Sequence, residues 1–337
     1  MLANKLFILR SMLFDAKMFL QKYPDALISQ YIYAMVSMMK IGILDGEKEE
    51  FQEPLDQMLA IFQKLKRNDF VLSHPTEGIV LGQLWGDIAN LYNGIGDISK
   101  GMDFIIENKQ FICGDGTYEC LNVDILWRIL NGFYGSNYYE NALDVIQIVL
   151  SRSEEELIAA GNTIGDKKGV YYKSGMIYMK WGEYDKAIEE FTKALKLSLE
   201  HKDDNQWWNA HYYRRLGLVY FYMKDYINAS KNYLESYRLI ETLDDNRKFS
   251  IKALCSYGHV EQLLGNQDTA KEKMMECSNW VLENNNGLKN DHDTYETIWP
   301  LYLYHTNIEQ QEKASKYLKM AYDNVENKQI QQYHEHN

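Results

Sequence analysis

The chain has 337 residues, a net charge of −12 and 46% hydrophobic residues. That acidity speaks against nucleic acid as the main partner, because the phosphate backbone is gripped by a basic face. Of its four prolines, Pro24, Pro54 and Pro75 fall early and Pro300 stands alone, so long helices are permitted from about residue 80 onward.

Residues 1–67 read as three helices, over about 3–22, 25–43 and 50–67, separated by Tyr23-Pro24-Asp25 and Asp45-Gly46-Glu47, which stop one helix and start the next. Leu6, Leu9, Leu13 and Leu20 give the first a helical stripe. This segment is either a degenerate repeat with a capping helix or a small effector module. The run from Leu6 to Phe14 contains Arg10 and lacks a following cleavage-site pattern, which argues against a signal peptide. Tyr31 to Leu44 is interrupted by Lys40 and is too short to span a bilayer. No membrane association and a cytoplasmic location are expected. Residues 68–78 form a connector, with Asn68-Asp69 and His74-Pro75 as breakers.

From 79 to 327 one signature recurs six times. It begins with Ala89, Tyr92, Gly96 and Ile105, then Leu130, Phe133, Tyr139, Ala142 and Ile146. The clearest copy is Gly175, Tyr178, Gly182, Tyr184, Ala187, Phe191 and Ala194. Gly217, Tyr220, Tyr226, Ala229, Tyr233 and Ser236 follow, then Gly258, Gly265, Ala270, Met274 and Cys277, and last Tyr302, Ala314, Leu318 and Ala321. Equivalent positions 89, 130, 175, 217, 258 and 302 are separated by 41, 45, 42, 41 and 44 residues. Such offsets suit two antiparallel helices whose small residues let them cross closely, an aromatic on one lying beside a small residue on the other. Ser151 to Gly169 is the largest interruption of the array, and residues 328–337 read as a polar, fraying tail.

This pattern resembles the tetratricopeptide repeat (TPR) family in its long-repeat style, as in bacterial peptide-pheromone receptors, kinesin light chains and polarity adaptors. The resemblance implies an all-α, right-handed solenoid whose first helices line a concave surface. It would place Asp87, Asn90, Trp127, Arg128, Asn131 and Tyr134 on that surface in the first two units. Tyr172, Lys173, Met176 and Lys180, then His211, Arg214 and Arg215, then Lys252 and His259 would follow. Six basic residues against one aspartate suit an acidic or carboxylate-ended peptide. Asn90 and Asn131 stand where peptide-binding family members use an asparagine on ligand backbone, whereas later units carry Met176, Leu218, His259 and Leu303 there. The full carboxylate clamp of chaperone-binding relatives is absent. Arg214 and Arg215 either form a solvated face, pairing with Asp203 or Asp204, or bind an anion. Trp207 and Trp208 read as packing residues at a helix start, with one exposed indole as the alternative.

Catalytic signatures are absent: no phosphate loop, HExxH or nucleophile elbow occurs. His334-Glu-His336 and Asp291-His-Asp293 are polar segments rather than metal sites. Neither enzyme activity nor a cofactor is expected. Cys113, Cys120, Cys255 and Cys277 show no CxxC spacing and read as small buried thiols of a reducing compartment. The function expected is a peptide- or protein-binding adaptor. A peptide-pheromone receptor acting on a response regulator or transcription factor is the first alternative, and a structural subunit of a larger assembly the second.

Overall fold

The computed structural model describes residues 17–18, 21–22, 48–67, 84–89, 91–92, 95–159, 166–200, 206–241, 247–283 and 294–335. Among these residues every regular element is helical. The chain divides into two compact units, residues 1–164 and 165–337, and the division falls inside the interruption between Ser151 and Gly169. In the first unit a 3₁₀ turn, Lys48–Phe51, leads into α1 (Gln52–Arg67). Helical residues 84–89 and 91–92 precede α2 (Ile98–Cys113), α3 (Val123–Gly135), α4 (Tyr139–Ser151) and the short α5 (Glu154–Ala159). The second unit is four hairpins: α6 (Lys167–Lys180) with α7 (Tyr184–Glu200), α8 (Gln206–Tyr222) with α9 (Tyr226–Glu241), α10 (Arg247–Leu263) with α11 (Gln267–Glu283), and α12 (Thr294–Asn307) with α13 (Gln311–Glu335). The last helix runs on to Glu335, through most of the stretch expected to fray. Of the three N-terminal helices expected, α1 lies where the third was placed; nearly all of the stretch expected to form the first two, and the connector 68–78, lie outside the described residues.

Local sequence explains each element. Helix α1 buries Leu55, Met58, Ile61 and Phe62, which share one face at helical spacing. Glu53 lies in its first turn and Lys64, Lys66 and Arg67 in its last, matching the helix dipole. Phe62 meets Phe104 and Phe111 edge-on at centroid distances of 4.9 and 5.6 Å, forming the core of the first unit with Met58 and Ile105. The Asn122 side chain accepts a bond of 3.0 Å from the Ile125 N–H and caps α3.

The turn inside each hairpin is built the same way six times. Gly96, Asn137, Gly182, Lys224, Gly265 and Glu309 all have positive φ, at 90°, 64°, 77°, 62°, 86° and 59°. They recur at the separations of the sequence repeat. In each turn the next residue's N–H bonds a carbonyl five residues back, as Asp97 to Tyr92, Tyr138 to Phe133, Glu183 to Tyr178, Asp225 to Tyr220, Asn266 to Glu261 and Gln310 to His305. This closure satisfies carbonyls that the ending helix leaves orphaned. Five residues past each turn residue stands a small residue: Gly101, Ala142, Ala187, Ala229, Ala270 and Ala314. A left-handed conformation strains a non-glycine residue with a Cβ by about 1–2 kcal/mol, least for asparagine. Lys224→Gly and Glu309→Gly are therefore expected to raise stability by roughly 0.5–1 kcal/mol, after the extra chain entropy glycine gains when unfolded is deducted, and Asn137→Gly to change it little. Urea unfolding of the three variants checks the order; destabilisation by Lys224→Gly would contradict it.

Small residues also set the helix crossings. A Cβ added at Gly175 would lie 2.7 Å from the Phe191 ring, one at Gly217 2.8 Å from the Tyr233 ring, and one at Gly258 2.8 Å from Met274 Sδ. Outer helices keep one wet face: α7 buries Ala187, Phe191, Ala194, Leu195 and Ser198. Inner helices are enclosed on more sides, and α8 buries Ala210, His211, Tyr212, Arg214, Arg215, Leu216, Gly217 and Val219.

The thiols expected from the cysteine spacing are corrected. Cys113 is disulfide-bonded to Cys120, and Cys255 to Cys277. CxxC is one route to adjacency; an antiparallel hairpin is another, and α10 packed on α11 sets two buried residues 22 apart in sequence face to face.

Candidate functional site

In the first unit the predicted residues lie on the helical stretch from residue 84 and on α3. Asp87 is buried, and its Oδ1 accepts a bond of 3.1 Å from Arg128 Nη1. Arg128 Nη2 reaches Asp124 Oδ2 at 3.1 Å. Arg128 is thus engaged by two carboxylates, which offset its positive potential. Asn131, one turn further on, is exposed and borders with Arg128 a cavity of about 230 Å³ floored by Met102, Ile105 and Ile129. Trp127 and Tyr134 are half-buried, and the Tyr134 ring lies 6.2 Å from that of Tyr139. Asn90 lies outside the described residues.

In the second unit the inner helices bring most of the predicted residues together. Tyr172 Oη of α6 is 2.9 Å from His211 Nε2 of α8. The indole of Trp207 stacks on His211 at 5.3 Å and 7°, and Trp208 stacks on Tyr212, so both tryptophans are packing residues. Met176 packs beside Tyr172 on the core around Phe191, while Lys180, at the last turn of α6, is exposed.

Of the two readings left open for Arg214 and Arg215, the solvated face does not fit. Arg214 is 2% exposed, Arg215 6% and Lys252 2%, because α8 and α10 are inner helices with neighbours on both sides. Burial, then the charges of Arg214, Arg215 and Lys252, hold the His211 imidazole well below its usual range, so it is neutral. Lys173 is pulled down by burial alone. His259 is pushed down to about 4, again by burial, and lies 5.6 Å from the Phe221 ring. Charges this deep are screened by salt far less than surface charges.

Beside this cluster lies a cavity of about 130 Å³. Helix α8 lines it with Arg214, Leu218 and Phe221, and α10 with Ser256 and His259. Helix α12 adds Trp299, Pro300 and Leu303. The repeat register had singled out Arg214, Leu218, His259 and Leu303. It missed Phe221, one turn past Leu218, and Ser256 and Trp299, one turn before His259 and Leu303. One-turn spacing from a known inner-face residue was the available signal. Among the described residues no helix is long and apolar enough to cross a membrane.

Successive antiparallel helix hairpins, each closed by the same turn and crossing at the same small residues, define a helical-repeat protein of the α-solenoid class. Residues 169–201, covering nearly all of the α6–α7 hairpin, match the tetratricopeptide repeat family model. Over 254 residues, 75% of its length, the chain is 26% identical to a TPR repeat-containing protein of Methanocaldococcus jannaschii, of which it spans 39%. The chain thus carries a tetratricopeptide repeat over residues 169–201 and is similar to a longer TPR repeat-containing protein. Solved structures show the same fold at 13% identity. A signal-transduction ATPase of the STAND class with a tetratricopeptide repeat sensor, from Pyrococcus horikoshii, superposes with a TM-score of 0.57, over 90% of this chain and 43% of its own. The apo form of RapI gives 0.56 over 98% of both chains. The apo form of the quorum sensor NprR from B. thuringiensis gives 0.54 over 94% of this chain and 82% of its own.

Proposed function

We propose that the chain is a non-catalytic scaffold whose second unit holds an extended, acidic or carboxylate-ended peptide segment against its inner helices. The observation that carries this reading is the convergence of Tyr172, His211, Arg214, Arg215 and Lys252 from three successive inner helices, next to an apolar cavity. Buried cations grip an anionic group more strongly than surface cations, and the aromatic walls supply the apolar contact. A second reading is an intracellular peptide-pheromone receptor that passes ligand binding to a regulator. The likeness to the quorum sensor NprR over 94% of the chain supports it as an analogy of fold.

Selection of random peptides on the purified chain, followed by titration of the best binder, tests the first reading. Lys252→Gln is expected to weaken binding at least tenfold at both about 50 and about 300 mM salt, whereas exposed Lys180→Ala should have a small effect that fades as salt rises. A selected peptide that binds folded Lys252→Gln and Arg214→Gln variants as tightly as the parent would remove the inner helices as its site.

A further inference from the structure

The two disulfides stand in opposite surroundings. Cys255 and Cys277 are 0% exposed inside the α10–α11 hairpin, so no external thiolate reaches either sulfur while the hairpin is folded. Cys113 is the last residue of α2 and half-buried, whereas Cys120 is exposed at the far end of a short loop. Gly114 and Gly116, both with a φ of 71°, turn the chain back between them. Thiol–disulfide exchange needs access of a thiolate to one sulfur of the bond. Of the four bonded cysteines, Cys120 is the one that is exposed.

The loop between them is held by more than its disulfide. Tyr118 is 1% exposed, stacked on Trp85 at 6.2 Å and set edge-on to Phe133 at 6.0 Å, with the Lys109 ammonium 4.7 Å from its ring centre. Asp115 accepts from the N–H and the hydroxyl of Thr117, whose oxygen accepts from the Glu119 N–H. Cys120 Sγ lies 3.9 Å from the Ile112 carbonyl oxygen, an acceptor for its S–H once the bond is open. Opening therefore leaves the two cysteines near each other, and the bond can form again. The residues on either side of Cys120 have a second task. Arg152 Nη2 donates to the carbonyls of Glu119 and Leu121 at 2.5 and 3.2 Å, and Arg152 Nη1 meets Glu156 Oε1 at 2.9 Å. Glu156 Oε2 accepts from the Ser153 N–H at 2.9 Å and Ser153 Oγ from the Glu156 N–H at 3.2 Å, a capping box that starts α5. Cys120 is thus joined through Arg152 to the first turn of α5.

We propose that Cys113–Cys120 is a thiol-exchange site for a low-molecular-weight thiol, and that Arg152 carries its state to α5. The thiolate RS⁻ attacks Cys120 Sγ; a new RS–Sγ bond forms, the bond to Cys113 breaks, and Cys113 leaves as a thiolate. At the C-terminal end of α2 the helix dipole disfavours that charge, so Cys113 takes up a proton from water. One disulfide is broken and one is made, so no outside oxidant or reductant is consumed. In the return step deprotonated Cys113 attacks Cys120 Sγ and expels RS⁻. While the adduct stands, Cys120 turns its sulfur outward to hold it, the flanking carbonyls turn away from Arg152, and the capping box of α5 loses its support.

The intact chain, purified without reductant, is treated with dithiothreitol, quenched by alkylation at intervals and mapped by mass spectrometry. At about 1 mM reagent Cys113–Cys120 is expected to open roughly a hundredfold faster than Cys255–Cys277, with the far-UV circular dichroism unchanged. Equal rates, or four free thiols before any treatment, overturn the site. Oxidised glutathione then probes which sulfur is attacked. Cys120 in the Cys113→Ser variant should be thiolated about tenfold faster than Cys113 in Cys120→Ser, and the reverse order overturns attack at Cys120. Hydrogen exchange reads the link to α5, through the amides of Glu156 and Leu157, which bond to Ser153. They are expected to exchange about tenfold faster in glutathionylated Cys113→Ser than in the same variant unmodified. Adding Arg152→Gln to that variant should raise their exchange by itself and remove the further increase on modification. Exchange at α5 that ignores glutathionylation, or an increase that survives Arg152→Gln, overturns the role of Arg152.

Discussion

Phe191→Ala is expected to destabilise the second unit by roughly 3–5 kcal/mol, and in that background Gly175→Ala should change from destabilising to stabilising. The ring of Phe191 is fully buried and lies where a Cβ at Gly175 would sit, 2.7 Å from Cε1 and 2.8 Å from Cδ1. Removing the ring costs its transfer free energy plus a cavity. Adding only the Cβ forces helices α6 and α7 apart, an overpacking of about 1–3 kcal/mol, which exceeds the roughly 1 kcal/mol alanine gains over glycine within a helix. Once the ring is gone the overlap goes too, and the helix preference alone remains. A double-mutant cycle by urea unfolding should thus give a coupling of about 1–3 kcal/mol. Gly217 with Tyr233 repeats the geometry. Gly132 is the control: its added Cβ would meet the Met102 Cε and Sδ, the mobile end of a thioether, so Gly132→Ala should be close to neutral. Additive effects at Gly175 and Phe191 would mean that this crossing is not where α6 and α7 touch.

These pairs show why the fold was legible. A solenoid repeats one contact, so a small residue and an aromatic at fixed offset appear in copy after copy, and each crossing can be read without knowing the rest of the chain. The turns were half legible. Gly96, Gly182 and Gly265 announce a left-handed residue, whereas Asn137, Lys224 and Glu309 occupy the same backbone state with side chains that give no such signal beyond asparagine's tolerance of it. The binding side was least legible, because what decides it is not local. A pair such as Arg214-Arg215 looks like a solvated face until neighbouring hairpins enclose α8. Arg128 looks free until Asp87, 41 residues earlier, is found beneath it. The cavity needs side chains from Arg214 to Leu303, brought together by four helices, and the partnership of Cys255 with Cys277 needs a hairpin.

Acid should unfold the second unit earlier than surface carboxylates alone would require, because three histidines there are held neutral. His211, His259 and His305 all have lowered folded-state values, in each case chiefly through burial, with Lys313 also acting on His305. An unfolded histidine takes up its proton near pH 6.5, while folded His259 resists until about 4. Between those values the unfolded state binds more protons. The stability is therefore fully present above about pH 6.5 and is lost as pH falls toward 4. For one such histidine the slope is about 1.4 kcal/mol per pH unit, or roughly 3 kcal/mol across the window. Carboxylates titrate over the same range, so the absolute slope is ambiguous and the comparison of slopes is not. His259→Gln keeps a polar side chain there but cannot be protonated, and it should flatten the dependence between pH 6 and 4.5 by about 1.4 kcal/mol per unit relative to the parent. The measurement is urea unfolding at closely spaced pH values for both proteins. Parallel curves would mean that the folded chain protonates His259 as readily as the unfolded one.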